Sequence, residues 1–261
     1  MSHPPRRPLV LLSNDDGYAS PGIQAWHGAL LPQCDVVVVA PEHEQSASSH
    51  ALSLRKPLRL RRIEESRFAL DGTPADCVYL ALHGGTRVLP GRPDLVLSGI
   101  NLGLNLGQDA FYSGTIAAAR EAALRGIPSI ASSAHLSLDL AEVARASTRI
   151  ALALLRQPAV PPRTPLLSLN FPSDWNGRAR ATRLGTRIYD ERVEFRKDPY
   201  GREYLWLGGP GVRHESNPGT DTDAYDEHFA SITPLVLDLT SHSDAALAET
   251  MAREVGEELR P

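Results

Sequence analysis

The stretch PLVLLSNDDGYASPGIQAWHGALL, residues 8–31, changes from a strand pattern to a helix pattern within a few positions. Its first six residues are a short apolar run, which is typical of a strand buried on both faces of a sheet. Ser20 is a candidate helix cap, a proline follows it, and Ile23, Trp26 and Leu30 recur at helical spacing. A strand followed directly by a helix is the unit from which parallel sheets are built.

The same alternation continues along the chain. Further strands are predicted at 35–41, 94–99, 127–133 and 165–172, and further helices at 72–85, 113–126 and about 139–156. Strands that alternate with helices of this length imply a parallel sheet with right-handed crossovers. We therefore predict an α/β fold of three layers, with a Rossmann-like, mostly parallel sheet between the helices.

The C-terminal third is less regular and predicts a β-hairpin extension. IYDERVEF and EYLWLG flank RKDPYGR, a pattern typical of a hairpin at about 188–207. The remaining predicted elements are an exposed strand pair or arm at 51–62, a strand at 231–240 and a charged helix at 244–258. Without a repeat or a convincing linker, we predict one domain, residues 1–261, with a β-rich extension and oligomerisation arm at roughly 180–240.

Composition excludes several classes of protein. The chain has 261 residues, 42% hydrophobic and 22% charged, with a formal net charge of −4. A general nucleic-acid binder needs a basic face, so no nucleic-acid partner is expected. The distant cysteines Cys34 and Cys77 are expected to be buried, reduced thiols. Since no signal-peptide core or membrane-length apolar run is present, we expect a soluble cytoplasmic protein with no membrane partner.

Two adjacent carboxylates, Asp15 and Asp16, follow the first predicted strand. Asn-Asp-Asp-Gly also suits an ordinary surface turn, and taken alone that interpretation is the more common one. This segment, however, joins a strand to a helix, and it lies at the carboxyl end of the strand, where such sheets bind ligands. Gly17 permits the bend that would let both carboxylates face one ion.

Loops after two other strands reach the same predicted edge of the sheet. PEHEQSASSHALSL (41–54) is either a solvated connection or the source of a hydroxyl ligand such as Ser46. His43 and His50 lie in this loop, and each is more typical of a surface or packing histidine than of a proton donor. The segment 98–122 is rich in glycine and carries Asn101 and Asn105.

The helix predicted at 113–126 opens with Ser113, Gly114 and Thr115. Unpaired amides and the positive dipole at a helix start favour a phosphate group, although the alternative in which Ser113 serves only as a cap stays open. The pattern is neither GxxxxGKS nor GxGxxG, which disfavours a P-loop or a dinucleotide site. Together the loops supply hard oxygen donors, which suit Mg²⁺, Mn²⁺ or Ca²⁺ and a phosphate-ester hydrolysis site.

Several ordered motifs resemble the SurE (survival protein E) family of metal-dependent 5′/3′-nucleotidases. They are LLSNDDGYASPGI, VVAPEHEQSASSHALSL, GTPADCVYLAL, PDLVLSGINLGLNLGQDAFYSGTIAAAREA and GTDTDAYDEHFASITPL. The resemblance covers nearly the whole chain. Leu104 stands where the family often has proline, and Gln108 stands where an acidic or other polar residue is common. These departures concern the fine shape of the pocket and therefore the substrate preference.

The resemblance implies removal of phosphate from nucleoside monophosphates at 5′ or 3′ positions, and in some members trimming of short polyphosphate. It implies one Mg²⁺ or Mn²⁺ per subunit, a homodimer or homotetramer, and a hairpin exchanged between subunits. The implied metal ligands are Asp15, Asp16, Ser46 and Asn101, with the two aspartates also catalytic; the expected phosphate-binding residues are Asn14, Gly17, Asn105, Ser113, Gly114 and Thr115. The segment from Tyr112 to Thr115 is expected to face the phosphate.

Three mechanistic alternatives stay open at this point. The attacking group is either water or an aspartate that forms a phospho-enzyme. A phosphatase of the DxD type is less favoured, because Asp15 and Asp16 have no spacer between them. A non-catalytic, metal-dependent nucleotide sensor would use the same residues. The motifs contain no residue that indicates a preference for a particular base.

Overall fold

Strands and helices alternate through most of this computed structural model, which describes residues 6–158, 164–209, 211–215 and 217–258. The strands, in chain order, are β1 (Leu9–Ser13), β2 (Asp35–Pro41), β3 (Leu60–Glu64), β4 (Arg67–Leu70), β5 (Leu95–Leu102), β6 (Ser129–Ala134), β7 (Leu166–Phe171), β8 (Ala179–Ala181), β9 (Arg187–Tyr189), β10 (Val193–Lys197), β11 (Glu203–Leu207), β12 (Val212–His214) and β13 (Ala230–Pro234). The α-helices are α1 (Pro21–Leu30), α2 (Pro74–His83), α3 (Asp109–Tyr112), α4 (Gly114–Leu124), α5 (Leu140–Leu155), α6 (Asp221–Asp226) and α7 (Ala245–Glu258). The predicted domain bounds, 1–261, include residues outside the described ranges, and the single domain stays a prediction.

The main sheet has nine strands in the order β3-β4-β2-β1-β5-β6-β7-β13-β8. Its centre, from β4 to β7, is parallel, whereas β3 and β13 pair antiparallel to their neighbours β4 and β7. The chain moves outward from β1 to β2 and β4, and then returns to the other side of β1 as β5. The crevice between β1 and β5 is therefore the point where the strand order reverses, and such sheets bind ligands there.

Helices cover both faces of the sheet, because the apolar residues of β1 alternate between them. Val10 and Leu12 pack in the cluster that contains Trp26 of α1 and residues of α5. Leu9 and Leu11 pack in the opposite cluster, with residues of α2 and α4. The predicted three-layer α/β fold with a mostly parallel sheet is confirmed.

Most predicted helix starts agree with the structure, and one cap does not. Thr73 and Asp76 form a reciprocal capping box at α2, with nitrogen–oxygen distances of 3.1 and 3.0 Å. Ser20 stands before α1, but its side chain makes no capping hydrogen bond. Its hydroxyl oxygen instead accepts a hydrogen bond from Nδ2 of Asn14 at 2.8 Å. The prediction that Ser20 caps this helix is wrong, because a buried amide in the preceding loop takes the hydroxyl.

The predicted strand pair at 51–62 is only partly correct. Residues 51–59 form no strand, and β3 begins at residue 60. The polar backbone of this segment is bound to the start of α2 instead of to a neighbouring strand. The Ser53 amide donates to Asp76 at 2.8 Å, and the Ala51 carbonyl accepts from the Thr73 hydroxyl at 2.7 Å.

The C-terminal third contains the predicted hairpin together with a second antiparallel pair. Strands β10 and β11 pair from Val193↔Leu207 to Lys197↔Glu203. Strand β9, predicted as part of the same hairpin, pairs with β12. The predicted strand at 231–240 ends earlier, at Pro234, whose partner Leu167 lies next to the first residue of β7. No helix in the described ranges is long and apolar enough to cross a membrane.

Candidate metal and phosphate site

Loops from three strands meet at the crevice between β1 and β5. Asp15 follows β1, Ser46 follows β2 and Asn101 lies near the end of β5, and all three line one cavity of about 650 Å³. Asp16 joins them through Leu102, whose amide donates to Asp16 Oδ2 at 3.3 Å. The structure therefore brings together the four residues predicted as metal ligands.

Asp15 is held rigidly from the start of α4. Its side chain is buried, with an exposed fraction of 4% for the residue. The Thr115 amide donates to Asp15 Oδ2 at 3.0 Å, and the Thr115 hydroxyl donates to Oδ1 at 2.5 Å. A Cβ at Gly114 would lie 2.9 Å from both Asp15 Cβ and the Ser48 hydroxyl oxygen, so the close approach requires glycine here. Each carboxylate oxygen keeps a lone pair for a cation.

Two of the amides at the start of α4 already bind groups of the protein itself. The Thr115 amide binds Asp15, and the Ile116 amide binds the Ser113 hydroxyl oxygen at 3.1 Å. A carboxylate at this end is stabilised by the helix dipole, as a phosphate would be. Asp15 thus occupies the place that the sequence pattern suggested for phosphate, and Thr115 acts on Asp15. Ser113 lines the cavity and keeps its hydroxyl proton for donation.

The electrostatics of the site favour a positive charge. Burial raises the pKa of Asp15. Burial first, and then the charge on Asp15, raise the pKa of Asp16 to about 6. Glu44 adds to both effects. Carboxylates are pushed toward their neutral forms when they lie close together out of water, and a cation between them reverses that effect.

Ser46 is exposed in the loop that follows β2, and its hydroxyl donates to Glu44 Oε1 at 2.7 Å. The loop is bound to both other segments of the site. The Gln45 amide donates to the Asp15 carbonyl at 2.8 Å, and the Ser49 amide donates to the Tyr112 carbonyl at 3.0 Å. These backbone bonds fix the position from which Ser46 faces the cavity.

A hydrogen bond to a buried carboxylate anchors the end of the same loop. His50 Nε2 lies 2.9 Å from Oε2 of Glu121, a residue of α4 whose side chain is 2% exposed. Arg125 contacts the other oxygen of Glu121 at 3.0 Å. His50 therefore serves in the packing of the loop, which agrees with the more common role expected of a lone histidine. The partner Glu121 was not predicted, because nothing in the spacing links it to residue 50.

Asn101 presents an amide oxygen to the cavity. Its Nδ2 donates to the Gly103 carbonyl at 2.8 Å, which leaves Oδ1 as the acceptor. The pairing of β5 with β6 is irregular between Ser98 and Asn101, where Gly99 has a φ of +131°. A Cβ at Gly99 would lie 2.3 Å from the Ser132 carbonyl oxygen, so the irregular backbone that places Asn101 also requires glycine.

Three further predicted phosphate-binding residues have different surroundings. Asn14 is fully buried, and its Nδ2 donates to the Gly17 carbonyl at 2.9 Å and to the Ser20 hydroxyl. Gly17 has a φ of +98°, which supplies the bend expected after the two aspartates. Both residues therefore shape the loop. Asn105 lines the cavity, and its Nδ2 donates to the Ser133 hydroxyl at 2.7 Å.

The C-terminal extension completes the cavity wall with residues that sequence reasoning missed. Tyr189, Asp190 and Glu191 line the cavity together with Asp109 of α3. The Tyr189 hydroxyl donates to the Asp109 carboxylate, and Arg187 lies 3.0 Å from the other oxygen of that carboxylate. These partners are about 80 residues apart, so only the folded chain brings them together.

The donor set is suited to a hard divalent cation. It consists of two carboxylates, a hydroxyl and an amide oxygen, which are the ligands that Mg²⁺ and Mn²⁺ prefer. Among the described residues no cluster of three or more His, Cys, Asp or Glu side chains could hold a metal. The candidate cation ligands at this crevice are therefore the acidic pair together with the neutral oxygens of Ser46 and Asn101.

The fold and the site together define a doubly wound α/β protein with a hydrolase-type site of oxygen donors at its topological switch point. Comparison with known proteins narrows this class to one family. The model of the family "Survival protein SurE" matches residues 10–191. The chain belongs to the SurE family.

Relatives and a solved structure agree with this membership over nearly the full length. The 5′-nucleotidase SurE of Sorangium cellulosum is 55% identical over 253 residues, which are 96% of this chain and 98% of that protein. The 5′-nucleotidase SurE of Myxococcus xanthus is 46% identical over 246 residues, covering 93% and 92% of the two chains. The crystal structure of the SurE protein from Aquifex aeolicus matches with a TM-score of 0.80 and 38% identity, covering 94% of this chain and 100% of that one.

Proposed function

We propose that this chain is a 5′-nucleotidase, a phosphatase that hydrolyses nucleoside monophosphates and depends on a divalent metal ion. The observation that carries the proposal is the convergence of Asp15, Asp16, Ser46 and Asn101 at the crevice between β1 and β5. The printed names of the relatives from Sorangium and Myxococcus support the nucleotidase activity. A cavity of about 650 Å³ is large enough for a mononucleotide.

The same four residues would hold one Mg²⁺ or Mn²⁺ per subunit. When bound, such an ion stabilises charge that develops on phosphate oxygens and makes a water molecule more acidic. The chain prepares the ligands in advance, because Thr115 orients the Asp15 carboxylate and Glu44 accepts a hydrogen bond from the Ser46 hydroxyl. Bonds from such outer partners orient the ligands of a metal.

The phosphate group of the substrate is proposed to lie beside the acidic pair, against Ser113 and Asn105. Both residues line the cavity. The hydroxyl of Ser113 accepts a hydrogen bond from Ile116, so its own proton is available to a phosphate oxygen. Gly114 is a proposed phosphate neighbour as well, because it directly follows Ser113, which lines the cavity.

We also propose that the hairpin β10–β11 is an arm that joins subunits into a homodimer or homotetramer. The register places four apolar side chains on one face of the hairpin, and each is between 47% and 79% exposed: Val193, Phe195, Leu205 and Leu207. A two-stranded hairpin with an uncovered apolar face is marginal by itself. Packing against a second copy of the chain would cover this face.

We propose a cytoplasmic location because both cysteines of the chain are unpaired. Cys34 and Cys77 are both buried and free. Unpaired thiols are typical of proteins that stay in a reducing compartment. Cell fractionation followed by detection of the chain tests the location, and recovery in an oxidising compartment would contradict it.

Phosphate release tests the proposed activity. The purified chain is incubated with 5′ and 3′ nucleoside monophosphates and with a short polyphosphate, with Mg²⁺, with Mn²⁺ or with EDTA. We expect release from nucleoside monophosphates only when metal is present. Binding of nucleotide without release would indicate the alternative function, a nucleotide sensor. Release that persists in EDTA would refute the metal site.

A further inference from the structure

Three groups of residues line the site cavity. One comes from the sheet edge and includes Asp15, Ser46 and Asn101. A second comes from α3 and includes Asp109 and Tyr112. The third comes from the extension and includes Tyr189 and Leu207. If the first group holds the phosphate, as proposed above, the nucleoside part of a substrate must lie against the remaining wall.

Tyr189 is the aromatic residue that the extension contributes to this wall, and it is held in place by the core. Its hydroxyl donates to the Asp109 carboxylate at the start of α3. Arg187 binds the same carboxylate at 3.0 Å, and its Cζ lies 5.6 Å from the centroid of the Tyr189 ring. The Arg187 amide also donates to Gln108 Oε1 at 2.6 Å. The ring is therefore fixed through its hydroxyl and through its neighbour.

The fixed ring is still available to a ligand. Tyr189 is 43% exposed although its hydroxyl is bound. Burial, followed by the hydrogen bond to Asp109, raises the pKa of Tyr189 to about 12, so the ring remains a neutral phenol. A flat aromatic side chain that is already ordered loses little conformational freedom when a second ring stacks on it.

We propose that Tyr189 is the stacking platform for the base of the nucleotide substrate, with Asp109 and Arg187 as positioning residues that hold its ring. This inference rests on the proposed nucleotidase function. Stacking recognises the π-face that every base presents, so it contributes affinity with little discrimination among bases. In this proposal the motifs near the sheet edge bind the phosphate group, and the base is bound by a residue of the extension.

Substrates with and without a base test the inference. For each variant, kcat/KM is measured for AMP and for ribose 5-phosphate, and the ratio of the two values is compared. Stacking of one base accounts for roughly a 5- to 150-fold difference in binding. We expect Tyr189→Leu to lower the AMP to ribose 5-phosphate ratio by about 10-fold or more. Tyr189→Phe keeps the ring and should keep most of the ratio.

Tyr79→Leu is the matched control, because Tyr79 is also 43% exposed but lies on α2, outside the lining of this cavity. The ratio of kcat/KM for AMP to kcat/KM for ribose 5-phosphate should be the same in Tyr79→Leu as in the unmodified chain. An unchanged ratio in Tyr189→Leu would overturn the platform while leaving the nucleotidase function intact. If the unmodified chain released phosphate from neither substrate, the proposed function itself would be wrong, and the platform with it.

A second measurement needs no variant. Adenosine and ribose are each added as inhibitors of AMP hydrolysis by the unmodified chain. The platform predicts that adenosine competes with AMP at concentrations at which ribose has no effect. Equal inhibition constants for the two compounds would contradict the inference even if Tyr189→Leu failed to fold.

Discussion

The candidate metal site and the hairpin β10–β11 are built in opposite ways. At the site, Asp15 is 4% exposed and is bound by Thr115, a residue 100 positions away in the chain. In the hairpin, Phe195 is 62% exposed, and the strands pair across a short local turn. The site is therefore positioned by the whole sheet, whereas the hairpin is held mainly by its own backbone pairing. Changes at the site should alter chemistry, and changes in the hairpin should alter association.

The largest effect is expected from Asp16→Asn. The change removes one of two carboxylates from the proposed metal site, and we expect phosphate release from AMP to fall by about 10³-fold or more. It also removes a carboxylate whose pKa is raised by burial and then by the charge on Asp15. The metal-free variant should therefore unfold at a higher temperature than the metal-free parent, with a gain on the order of 1 kcal/mol after solvent screening.

Calorimetric unfolding in EDTA and a phosphate assay in Mn²⁺ measure the two effects of Asp16→Asn separately. Glu194→Gln, an exposed carboxylate change in the hairpin, is the control and should alter neither quantity. If Asp16→Asn released phosphate as fast as the parent, Asp16 would not belong to the proposed metal site. A change at the site would then have no larger effect on activity than a change in the hairpin.

Gly114→Ala should be the next largest disturbance. An added Cβ would lie 2.9 Å from both Asp15 Cβ and the Ser48 hydroxyl, so the start of α4 must shift. Overpacking of this kind typically costs about 1–3 kcal/mol of unfolding free energy. We expect that loss together with weaker Mn²⁺ binding, measured by denaturant titration and by electron paramagnetic resonance.

The same substitution in α1 serves as the control for Gly114→Ala. A Cβ added at Gly28 would have no atom within 4 Å, so alanine there should stabilise the helix by about 0.5–1 kcal/mol. If both variants lost stability equally, the close approach at Gly114 would not be the cause.

We expect a smaller effect from Glu121→Gln, a change in how the free energy of unfolding depends on pH. Burial by itself raises the pKa of Glu121, but the hydrogen bond to His50 and the charge of Arg125 outweigh it, and the pKa is lowered from its ordinary value of 4.5. A lowered pKa contributes stability above the ordinary value, and this contribution is lost as the pH falls through the folded-state value. The parent chain should therefore lose more stability than Glu121→Gln on acidification.

Denaturant unfolding at about pH 7 and about pH 4 measures this difference, which we expect to be about 1 kcal/mol. Glu142→Gln, an exposed residue on α5, is the control and should follow the parent. A Glu121→Gln variant with the same pH dependence as the parent would show that the contacts with His50 and Arg125 do not lower the pKa of Glu121.

The smallest effect on the isolated subunit is expected from Phe195→Ser in the hairpin. Phe195 is largely exposed, so the unfolding free energy of a monomer should change by less than about 0.5 kcal/mol. The variant should nevertheless shift the oligomer toward smaller species, measured by light scattering after size-exclusion chromatography. Arg196→Ser on the other face is the control. An unchanged oligomer in Phe195→Ser would refute the hairpin as the arm.

The candidate site could be predicted only in part from the sequence. The convergence of Asp15, Asp16 and Ser46 could be predicted because each follows an apolar strand, and the ends of parallel strands meet at one edge. The role of Thr115 was not found, because a helix start favours phosphate and carboxylate equally. The contact of Tyr189 with Asp109 gave no sequence signal, since neither residue belongs to a periodic pattern.

The sequence by itself determined the layers of the sheet and the residues that bring oxygen donors to its edge. These features follow from apolar spacing within single segments, which local periodicity encodes. Only the tertiary structure decided that Asp15 accepts a hydrogen bond at the start of α4 and that Asn14 donates to the hydroxyl of Ser20. It also decided that the extension forms a wall of the cavity. Such partners depend on distances between segments far apart in the chain, and most buried polar groups bind a neighbour that the packed fold places beside them.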